Sequence, residues 1–265
     1  MIEVYGIIVF LLGTIIGSFL GVVIWRLNTG RGFGGRSMCL TCRRQLSWHE
    51  LVPIVSFLNQ RGKCYVCRTK IPRQDFFIEV VTGIVFVSIF MKMISLGMPS
   101  LYANVWYMVF YMYIFSLLIV MSVYDFKHFI IPDKLVWIFN FLALVSTFFV
   151  FDTTFSVALP ALSTLLAGPI IALPFWILWK VTNGNGMGFG DVKLALGMGW
   201  LLGISLGLSA FILSFWIGTL FALFLLITQK GVHRKTKIPF GPFICIALFI
   251  VFIFNVTIQY ILTSI

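Results

Sequence analysis

Two aspartates of this 265-residue chain lie where long apolar stretches meet polar sequence. Asp125 follows one such stretch, and Asp191 precedes another. Ionisable groups at such a boundary are costly to hold and are therefore candidates for function. Two carboxyls in one poorly hydrated pocket cannot both ionise cheaply, so they share a proton and titrate together. The pair predicts aspartyl-protease chemistry, in which one carboxylate activates water and the other acid supports the scissile carbonyl.

The position of each aspartate on its predicted helix suggests how the two roles divide. Asp191 opens a helix, where the helix dipole favours the anion, whereas Asp125 closes one, where the dipole opposes it. We therefore expect Asp191 to be the base and Asp125 the acid at rest. Two other interpretations stay open at this point. The aspartates could relay protons or ions in a transporter or channel, or they could pair structurally with Lys127, Lys193 or the basic loop.

A glycine-rich stretch, residues 184–190, leads directly into Asp191. Glycine lacks a Cβ atom, so the backbone at Gly186, Gly188 and Gly190 can bend sharply and admit a peptide main chain. These three glycines are the predicted active-site loop. The spacing Gly-x-Gly-x-x-Gly that marks a dinucleotide site does not occur here.

Four cysteines form two Cys-x-x-Cys pairs within one polar segment: Cys39, Cys42, Cys64 and Cys67. Four thiolates in two such pairs can bind one tetrahedral ion, and zinc is the predicted metal. Disulfides are the alternative, but they rarely persist in a reducing cytoplasm. All four ligand positions are filled by protein, so the metal is expected to be structural. Cys245 lies in an apolar run and is predicted to be a packing residue.

The elements that must position these residues are membrane-spanning helices. Hydrophobic residues make up 60% of the chain and charged residues 10%, which excludes a soluble globular protein. Apolar runs of spanning length predict an all-α polytopic membrane protein of about eight helices. The predicted spans are 5–25, 76–95, 101–124, 135–151, 155–179 and 243–262, with 194–228 forming two more around a turn at 203–207.

The basic residues set the predicted orientation. Segment 26–75 holds ten of the nineteen lysines and arginines, and such residues accumulate in cytoplasmic loops. The four-cysteine segment and both aspartates are therefore predicted on the cytoplasmic side, with the N-terminus outside. The net charge of +11 follows this rule and faces anionic lipid headgroups, so no nucleic-acid partner is expected. The predicted domains are a first helix (1–25), a four-cysteine domain (26–75) and a transmembrane domain (76–265).

The remaining acids are predicted to have structural roles. Glu79 is expected to complement a helix dipole or pair with a loop arginine, and Asp133 to cap the helix that follows it. Glu50 and Asp75 are expected to be solvated or paired at the surface.

Taken in order along most of the chain, the motifs resemble those of type IV prepilin leader peptidases, which are bifunctional membrane aspartyl enzymes. The first-helix signature is similar to residues 17–27, and the cytoplasmic domain to the two cysteine pairs with 46–48, 53–56 and 61–64. Residues 78–83 resemble the start of the second helix. Asp125 together with residues 131–133 resembles the first catalytic motif, and residues 188–191 resemble the second. Residues 238–242 resemble the last characteristic turn.

The resemblance implies an enzyme of the bacterial cytoplasmic membrane that removes the short basic leader of prepilins or pseudopilins after a glycine. It implies that Asp125 and Asp191 carry the proteolysis, and that the new N-terminal amine is then methylated with S-adenosylmethionine. Gly62 and Lys63 match the stretch associated with methylation. Two positions depart from the pattern: Lys127 stands where many relatives have an acid, and Gly21 where asparagine is common. A zinc-dependent assembly adaptor is a third possible class.

Overall fold

The computed structural model describes residues 2–30, 32, 34–39, 41–97, 101–151, 155–184, 186–228 and 238–257. Eight α-helices lie within these ranges, in addition to a short 3₁₀ helix at Trp48–Glu50 and a two-stranded sheet. The helices are α1 (Ile2–Arg26), α2 (Val55–Asn59), α3 (Arg73–Leu96), α4 (Leu101–His128), α5 (Asp133–Ser146), α6 (Leu162–Val181), α7 (Phe189–Thr228) and α8 (Gly241–Phe254).

The predicted fold class is confirmed. Five helices of the described part, α1, α3, α4, α6 and α7, are long and apolar enough to cross a membrane. The four-cysteine segment lies between α1 and α3, as expected. The chain is a multi-pass membrane protein, and the total of eight spans stays a prediction. It divides into two compact units, residues 1–95 and 96–265, whereas the three-part division of the sequence stays a prediction.

In the first unit, α1 and α3 pack closely because glycines line their contact. A Cβ atom on Gly13 would lie 2.8 Å from the Gly83 Cα atom, and one on Gly17 would lie 2.7 Å from the Glu79 Cα atom. Small residues let helices approach in lipid, where association depends on van der Waals packing. Any side chain at Gly13 or Gly17 would therefore push the two helices apart.

The four-cysteine segment is built from two turns of the same design. The Cys39 N–H donates to the Arg44 carbonyl at 2.9 Å, and the Cys64 N–H donates to the Thr69 carbonyl at 2.9 Å. Arg43 and Arg68, each the residue after the second cysteine of a pair, both have positive φ, 54° and 57°. The similar local sequences thus fold into similar turns, which bring two cysteines each to one point.

In the second unit, α7 contacts α5, α6 and α8, and α4 contacts α5 and α8. Helix α7 is interrupted at Gly203, whose φ of 76° and ψ of −178° are not helical. A Cβ atom on Gly207 would lie 3.8 Å from the Gly199 Cα atom, although eight residues of straight helix span about 12 Å. The helix therefore folds back on itself, which agrees with the turn predicted at 203–207.

Close approach of helix α6 to α7 also depends on glycine. A Cβ atom on Gly199 would lie 2.4 Å from the Ala167 carbonyl oxygen, and one on Gly168 would lie 2.6 Å from the Trp200 ring. The Trp200 indole donates a hydrogen bond to the Leu165 carbonyl at 2.9 Å. These contacts fix the first half of α7, which begins at the candidate site.

Two predicted helix ends were wrong. The span expected at 135–151 ends earlier, at Ser146, and the span expected at 155–179 begins later, at Leu162. Between them, Phe149–Phe151 and Phe155–Val157 form the antiparallel strands β1 and β2. Valine and phenylalanine favour extended structure when helix packing does not decide. The described part of the last helix ends at Phe254, and the predicted end at residue 262 lies outside the described residues.

Two acids also have roles that differ from the expected ones. Asp133 does not cap α5: Pro132 is at the N-cap, and Asp133, the first helical residue, forms an ion pair with Lys193 at 2.6 Å. Glu79 pairs with no arginine among the described residues; its Oε2 atom accepts the Ile54 N–H at 2.7 Å. Glu50 is paired as expected, with Arg44 at 2.6 Å, but it is buried.

Candidate active site and metal centre

Helix α4 presents Asp125 in its last turn. The residue is buried, with 5% of its surface exposed, and its Oδ2 atom accepts the Gly241 N–H at 3.1 Å. Gly241 is the first residue of α8, where free N–H groups and the helix dipole favour an anion. A Cβ atom on Gly241 would lie 2.7 Å from the same carboxyl oxygen, so only glycine leaves room for this contact.

Helix α7 presents Asp191 in its first turn. Asp191 is also 5% exposed, and its Oδ2 atom accepts the Gly188 N–H at 3.2 Å. The Asp191 N–H in turn donates to the Gly188 carbonyl at 3.2 Å. This arrangement resembles half of a capping box, in which an acid three residues into a helix bonds back to the residue before it. The Oδ1 atom is buried and accepts no hydrogen bond from the described residues.

The fold brings the two carboxyls together. Asp125 and Asp191 are close enough to interact electrostatically, although they are 66 residues apart in sequence. Ile131 lies between their helix ends: its Cβ atom is 3.1 Å from a Cβ atom built on Gly190, and its Cδ1 atom is 3.2 Å from one built on Gly241. Two buried acids beside an isoleucine form a poorly hydrated site that can hold one proton between two carboxyls.

The three predicted loop glycines have different surroundings. Gly188 bonds to Asp191, and Gly190 packs against Ile131. A Cβ atom on Gly186 would lie 3.2 Å from the Thr182 side chain. Gly190 is therefore explained by tight packing, while Gly188 shapes the turn that holds Asp191.

Two charged side chains near Asp191 pair with each other. The Lys193 ammonium lies 2.6 Å from Asp133 Oδ1 and 5.4 Å from the centre of the Phe189 ring. The alternative that Asp191 serves only as an ion-pair partner of Lys193 is therefore wrong. Lys193 instead joins the beginning of α5 to the first turn of α7.

The four predicted metal ligands come together in the first unit. The Sγ atoms of Cys39, Cys42, Cys64 and Cys67 all lie within 4.8 Å of one another, and Cys39 and Cys67 are 3.7 Å apart. A tetrahedral zinc ion with bonds of about 2.3 Å separates its sulfur ligands by about 3.8 Å. The donor set and spacing thus fit one tetrahedral thiophilic ion. All five cysteines are free thiols, so the disulfide alternative is wrong.

At two of the four cysteines, hydrogen bonds favour the thiolate form that a metal requires. Bonds from the Thr69 side chain and backbone lower the pKa of Cys67 to about 6. The backbone N–H groups of Cys67 and Val66 lower the pKa of Cys64. Thiolates are the metal-binding form of cysteine, so Cys64 and Cys67 are prepared for an ion. At Cys42 the backbone N–H of Arg44 lowers the pKa, but desolvation and hydrogen bonds with Cys39 and Cys67 outweigh it and raise the pKa to about 11. The Arg44 side chain holds the pKa of the Glu50 carboxyl at about 2.

The two methyltransferase candidates lie at the start of the second cysteine turn. Gly62 has a φ of 66°, and its carbonyl accepts the Ile71 N–H at 2.8 Å. A Cβ atom on Gly62 would lie 3.1 Å from the Phe57 ring. The Lys63 side chain is exposed, and the residue forms an isolated β-bridge with Lys70.

Sequence reasoning missed three residues that surround the carboxyl pair. Gly241 supplies a hydrogen bond, Ile131 fills the space between the helix ends, and Cys245 lies within electrostatic range of both carboxyls. Gly241 and Ile131 were noted within motifs, but their contact with the aspartates depends on α8 packing beside α4. Cys245 is buried, and its sequence neighbours carry no signal of a nearby site.

Comparison with known proteins agrees with the motifs. The family model for the bacterial peptidase A24 N-terminal domain matches residues 11–93, and the model for the type IV leader peptidase family matches residues 112–223. A prepilin leader peptidase/N-methyltransferase of Bacillus subtilis is 31% identical over 251 residues, which are 94% of each chain. One of Xanthomonas campestris is 30% identical over 91% of this chain and 88% of its own.

A third relative extends the range of organisms. The prepilin leader peptidase/N-methyltransferase of Vibrio cholerae is 28% identical over 94% of this chain and 96% of its own. No solved structure matches the chain significantly. Because the identity to the Bacillus subtilis protein extends over nearly the whole length and both family models match in order, the chain belongs to the type IV leader peptidase family.

Proposed function

We propose that this protein is an aspartic endopeptidase that removes the leader from prepilins or pseudopilins and then methylates the new N-terminus. The observation that carries the peptidase proposal is the pair of buried, interacting carboxyls of Asp125 and Asp191. The relatives are named prepilin leader peptidase/N-methyltransferase, which supports the same substrate and both activities. Nothing in the described structure favours the transporter or the assembly adaptor.

In this proposal Asp191 is the base and Asp125 the acid. Asp191 has a helix N-terminus on its own side and a free Oδ1 atom that can accept a proton from water. Asp125 meets opposing influences, because its own helix ends there while α8 begins beside it. The ionised Asp191 takes a proton from water as its oxygen attacks the carbonyl carbon. Asp125 donates a hydrogen bond to the former carbonyl oxygen of the resulting tetrahedral intermediate. Asp191 then gives the proton that it took from water to the nitrogen of the scissile bond, the carbon–nitrogen bond breaks, and the amine leaves.

The depth of the pair suits a substrate that is itself an apolar helix. Asp125 lies four residues from the end of α4, and Asp191 is the third residue of α7. Both acids are therefore at helix ends, near the boundary of the bilayer. We propose that this boundary faces the cytoplasm of a bacterial cytoplasmic membrane, with the N-terminus outside, because the basic residues concentrate in segment 26–75. The scissile bond, expected after a glycine, would lie at this level.

The peptidase proposal is tested with purified enzyme and a prepilin. Asp125→Asn and Asp191→Asn should each abolish cleavage, because each removes one member of the shared-proton pair. Glu3→Gln is the control, since it neutralises an exposed carboxylate in α1 that belongs to neither catalytic motif and should retain cleavage. Normal processing by either dyad variant, with metal content and thermal stability as in the wild type, would refute the catalytic assignment.

We further propose that Gly62 and Lys63 act in methyl transfer, with S-adenosylmethionine as the donor. The support is their match to the family stretch and the exposure of Lys63 beside Gly62, whose positive φ favours glycine at this turn. Lys63→Ala should reduce methylation of cleaved prepilin while cleavage continues. Lys70→Ala is the control, because Lys70 is the exposed bridge partner of Lys63. Equal methylation by the two variants would remove Lys63 from the proposal.

We propose zinc as the structural ion of the four-cysteine segment. The support is the all-thiolate donor set and its spacing. The segment contributes little apolar core, and a metal would supply the stability it lacks.

A further inference from the structure

The four-cysteine unit carries an apolar surface that neither the carboxyl pair nor the metal ligands use. Five apolar side chains between residues 48 and 58 are exposed, with Trp48 at 75% and Leu58 at 60%. We call these five residues the outer patch: Trp48, Leu51, Val52, Val55 and Leu58. Large apolar side chains scattered singly on a surface need no explanation, but five within eleven residues mark an interaction site.

The opposite face of the same segment is held firmly to helix α3. The Ile54 N–H donates to Glu79 Oε2 at 2.7 Å, and the Phe57 ring stacks on Phe76 with centroids 5.0 Å apart. Ile54 has a φ of 60° and a ψ of −55°, which is strained for a β-branched residue. Such strain persists only when surrounding contacts fix the backbone. The direction in which the outer patch points is therefore set by the fold.

These contacts place the outer patch near the end of a spanning helix. Phe76 and Glu79 lie within the first two turns of α3, which begins at Arg73. The segment is also tethered at its other end to α1, which is a second candidate span. A segment attached to two membrane helices and pinned to the first turns of one cannot extend far from the bilayer surface.

The charges around the outer patch match an anionic surface. Glu50 is the only acid between residues 48 and 58, and it is buried against Arg44. One exposed base, Arg43, precedes the outer patch in sequence, and two, Arg61 and Lys63, follow it. Anionic headgroups attract such bases, and tryptophan favours the level of the headgroups.

We propose that the outer patch inserts into the headgroup layer of an anionic bilayer and holds the four-cysteine unit flat on the membrane. An apolar face flanked by bases binds membranes through the same combination of buried apolar area and charge attraction. This inference does not depend on the proposed enzymatic function.

The test uses the full-length protein in nanodiscs with the photoreactive residue p-benzoylphenylalanine at position 48 or 58. Position 59 is the matched control, because Asn59 is exposed and adjacent but polar. In discs containing phosphatidylglycerol, illumination should give several-fold more lipid adduct from positions 48 and 58 than from 59. The adduct yield should fall in discs of phosphatidylcholine alone. Retention of the metal by each labelled protein verifies that the segment is folded.

Three results would overturn the proposal. These are equal lipid adducts from positions 48, 58 and 59, adducts to protein in place of lipid, and a yield that does not change when the anionic lipid is removed. A second variant provides an independent readout. With the photoreactive residue at position 48, the double substitution Leu51→Asp and Leu58→Asp should lower the lipid adduct several-fold, because acids within the patch are repelled from anionic headgroups. An undiminished yield would overturn the proposal.

Discussion

At the scale of single residues, the candidate site depends on glycines that leave room for two carboxyls. Asp125 and Asp191 each accept one backbone N–H, from Gly241 and Gly188. These bonds orient the acids without supplying a counter-charge, so the two carboxyls can share one proton as the proposed mechanism requires. The glycines are as necessary to this arrangement as the acids.

Gly241→Ala should strongly reduce cleavage. The added methyl group would lie 2.7 Å from Asp125 Oδ2, so the carboxyl or α8 has to move. Overpacking of this kind costs roughly 1–3 kcal/mol, and a displacement of about 1 Å at a reacting group can cost roughly 100-fold in rate. The measurement is kcat for prepilin cleavage. Gly34→Ala is the control, since a Cβ atom at Gly34 meets nothing within 4 Å and should leave the rate unchanged. Equal rates for the two variants would contradict the tight packing at Gly241.

Glu50 gives a pH prediction for the four-cysteine segment. The pKa of Glu50 is held at about 2, below its ordinary value, by the hydrogen bond from Arg44. A lowered folded-state pKa stabilises the protein above the ordinary carboxyl range, and this stabilisation is lost as pH falls towards 2. Glu50→Gln should therefore lower stability at neutral pH by roughly 1–3 kcal/mol.

Thermal unfolding of wild type and Glu50→Gln in detergent measures this effect. The difference in melting temperature should be largest at neutral pH and should shrink as pH falls from about 4.5 to about 2. Gln45→Ala, an exposed position in the same segment, should show no such pH-dependent difference. A constant difference for Glu50→Gln would mean that the ion pair with Arg44 does not stabilise the segment.

At the scale of elements, glycines decide where helices can approach and where they turn. Gly13 and Gly17 allow the contact of α1 with α3, and Gly199 allows that of α6 with α7. Gly203 supplies the positive φ at which α7 reverses. Helix α7 can therefore carry Asp191 in its first turn, reverse direction at Gly203 and pack against α8, which begins beside Asp125.

Gly199→Ala should destabilise the second unit. Its Cβ atom would lie 2.4 Å from the Ala167 carbonyl oxygen, and a backbone atom cannot move aside as a flexible side chain can. We expect a loss of roughly 1–3 kcal/mol, measured as a lower melting temperature in detergent. Gly6→Ala is the control, since a Cβ atom there would make only an ordinary van der Waals contact, 3.7 Å from the Met91 Cε atom. A melting temperature for Gly199→Ala equal to that of Gly6→Ala would show that the helices adjust without cost.

At the scale of the whole molecule, the two compact units divide the proposed work. Residues 96–265 contain both carboxyls, and residues 1–95 contain the cysteine cluster and the methyl-transfer candidates. Each unit includes candidate membrane spans. A defect confined to one unit should therefore affect one activity more than the other.

Removal of the metal should unfold part of the first unit and leave the second unit folded. Chelation should release about one metal ion per chain and expose segment 26–75 to protease, because the bonds from the ion to the four thiolates no longer hold the segment together. Limited proteolysis and metal analysis measure both effects. Helices α4 to α8 should remain protected. Purified, reduced protein with no stoichiometric metal would contradict the prediction, as would unchanged protection of segment 26–75 after chelation.

The sequence by itself determined that the chain lies in a membrane, that it is built from helices, and that four cysteines form one cluster. Long uncharged runs require lipid, because a soluble protein cannot cover so much apolar surface. The Cys-x-x-Cys pairs predicted a four-thiolate cluster, and the turn near Gly203 was predicted from glycine and run length alone. Each of these features is written in residues that are close together in the chain.

Only the tertiary structure decided which distant residues meet. The contact of Asp125 with Gly241 joins residues 116 positions apart, and Asp133 pairs with Lys193 where a helix cap was expected. The strands Phe149–Phe151 and Phe155–Val157 replaced predicted helix ends because short aromatic and β-branched runs fit either structure until their packing partners are known. Local patterns encode periodicity and charge, whereas the packing of α8 beside α4 depends on shape complementarity between segments that no local pattern records.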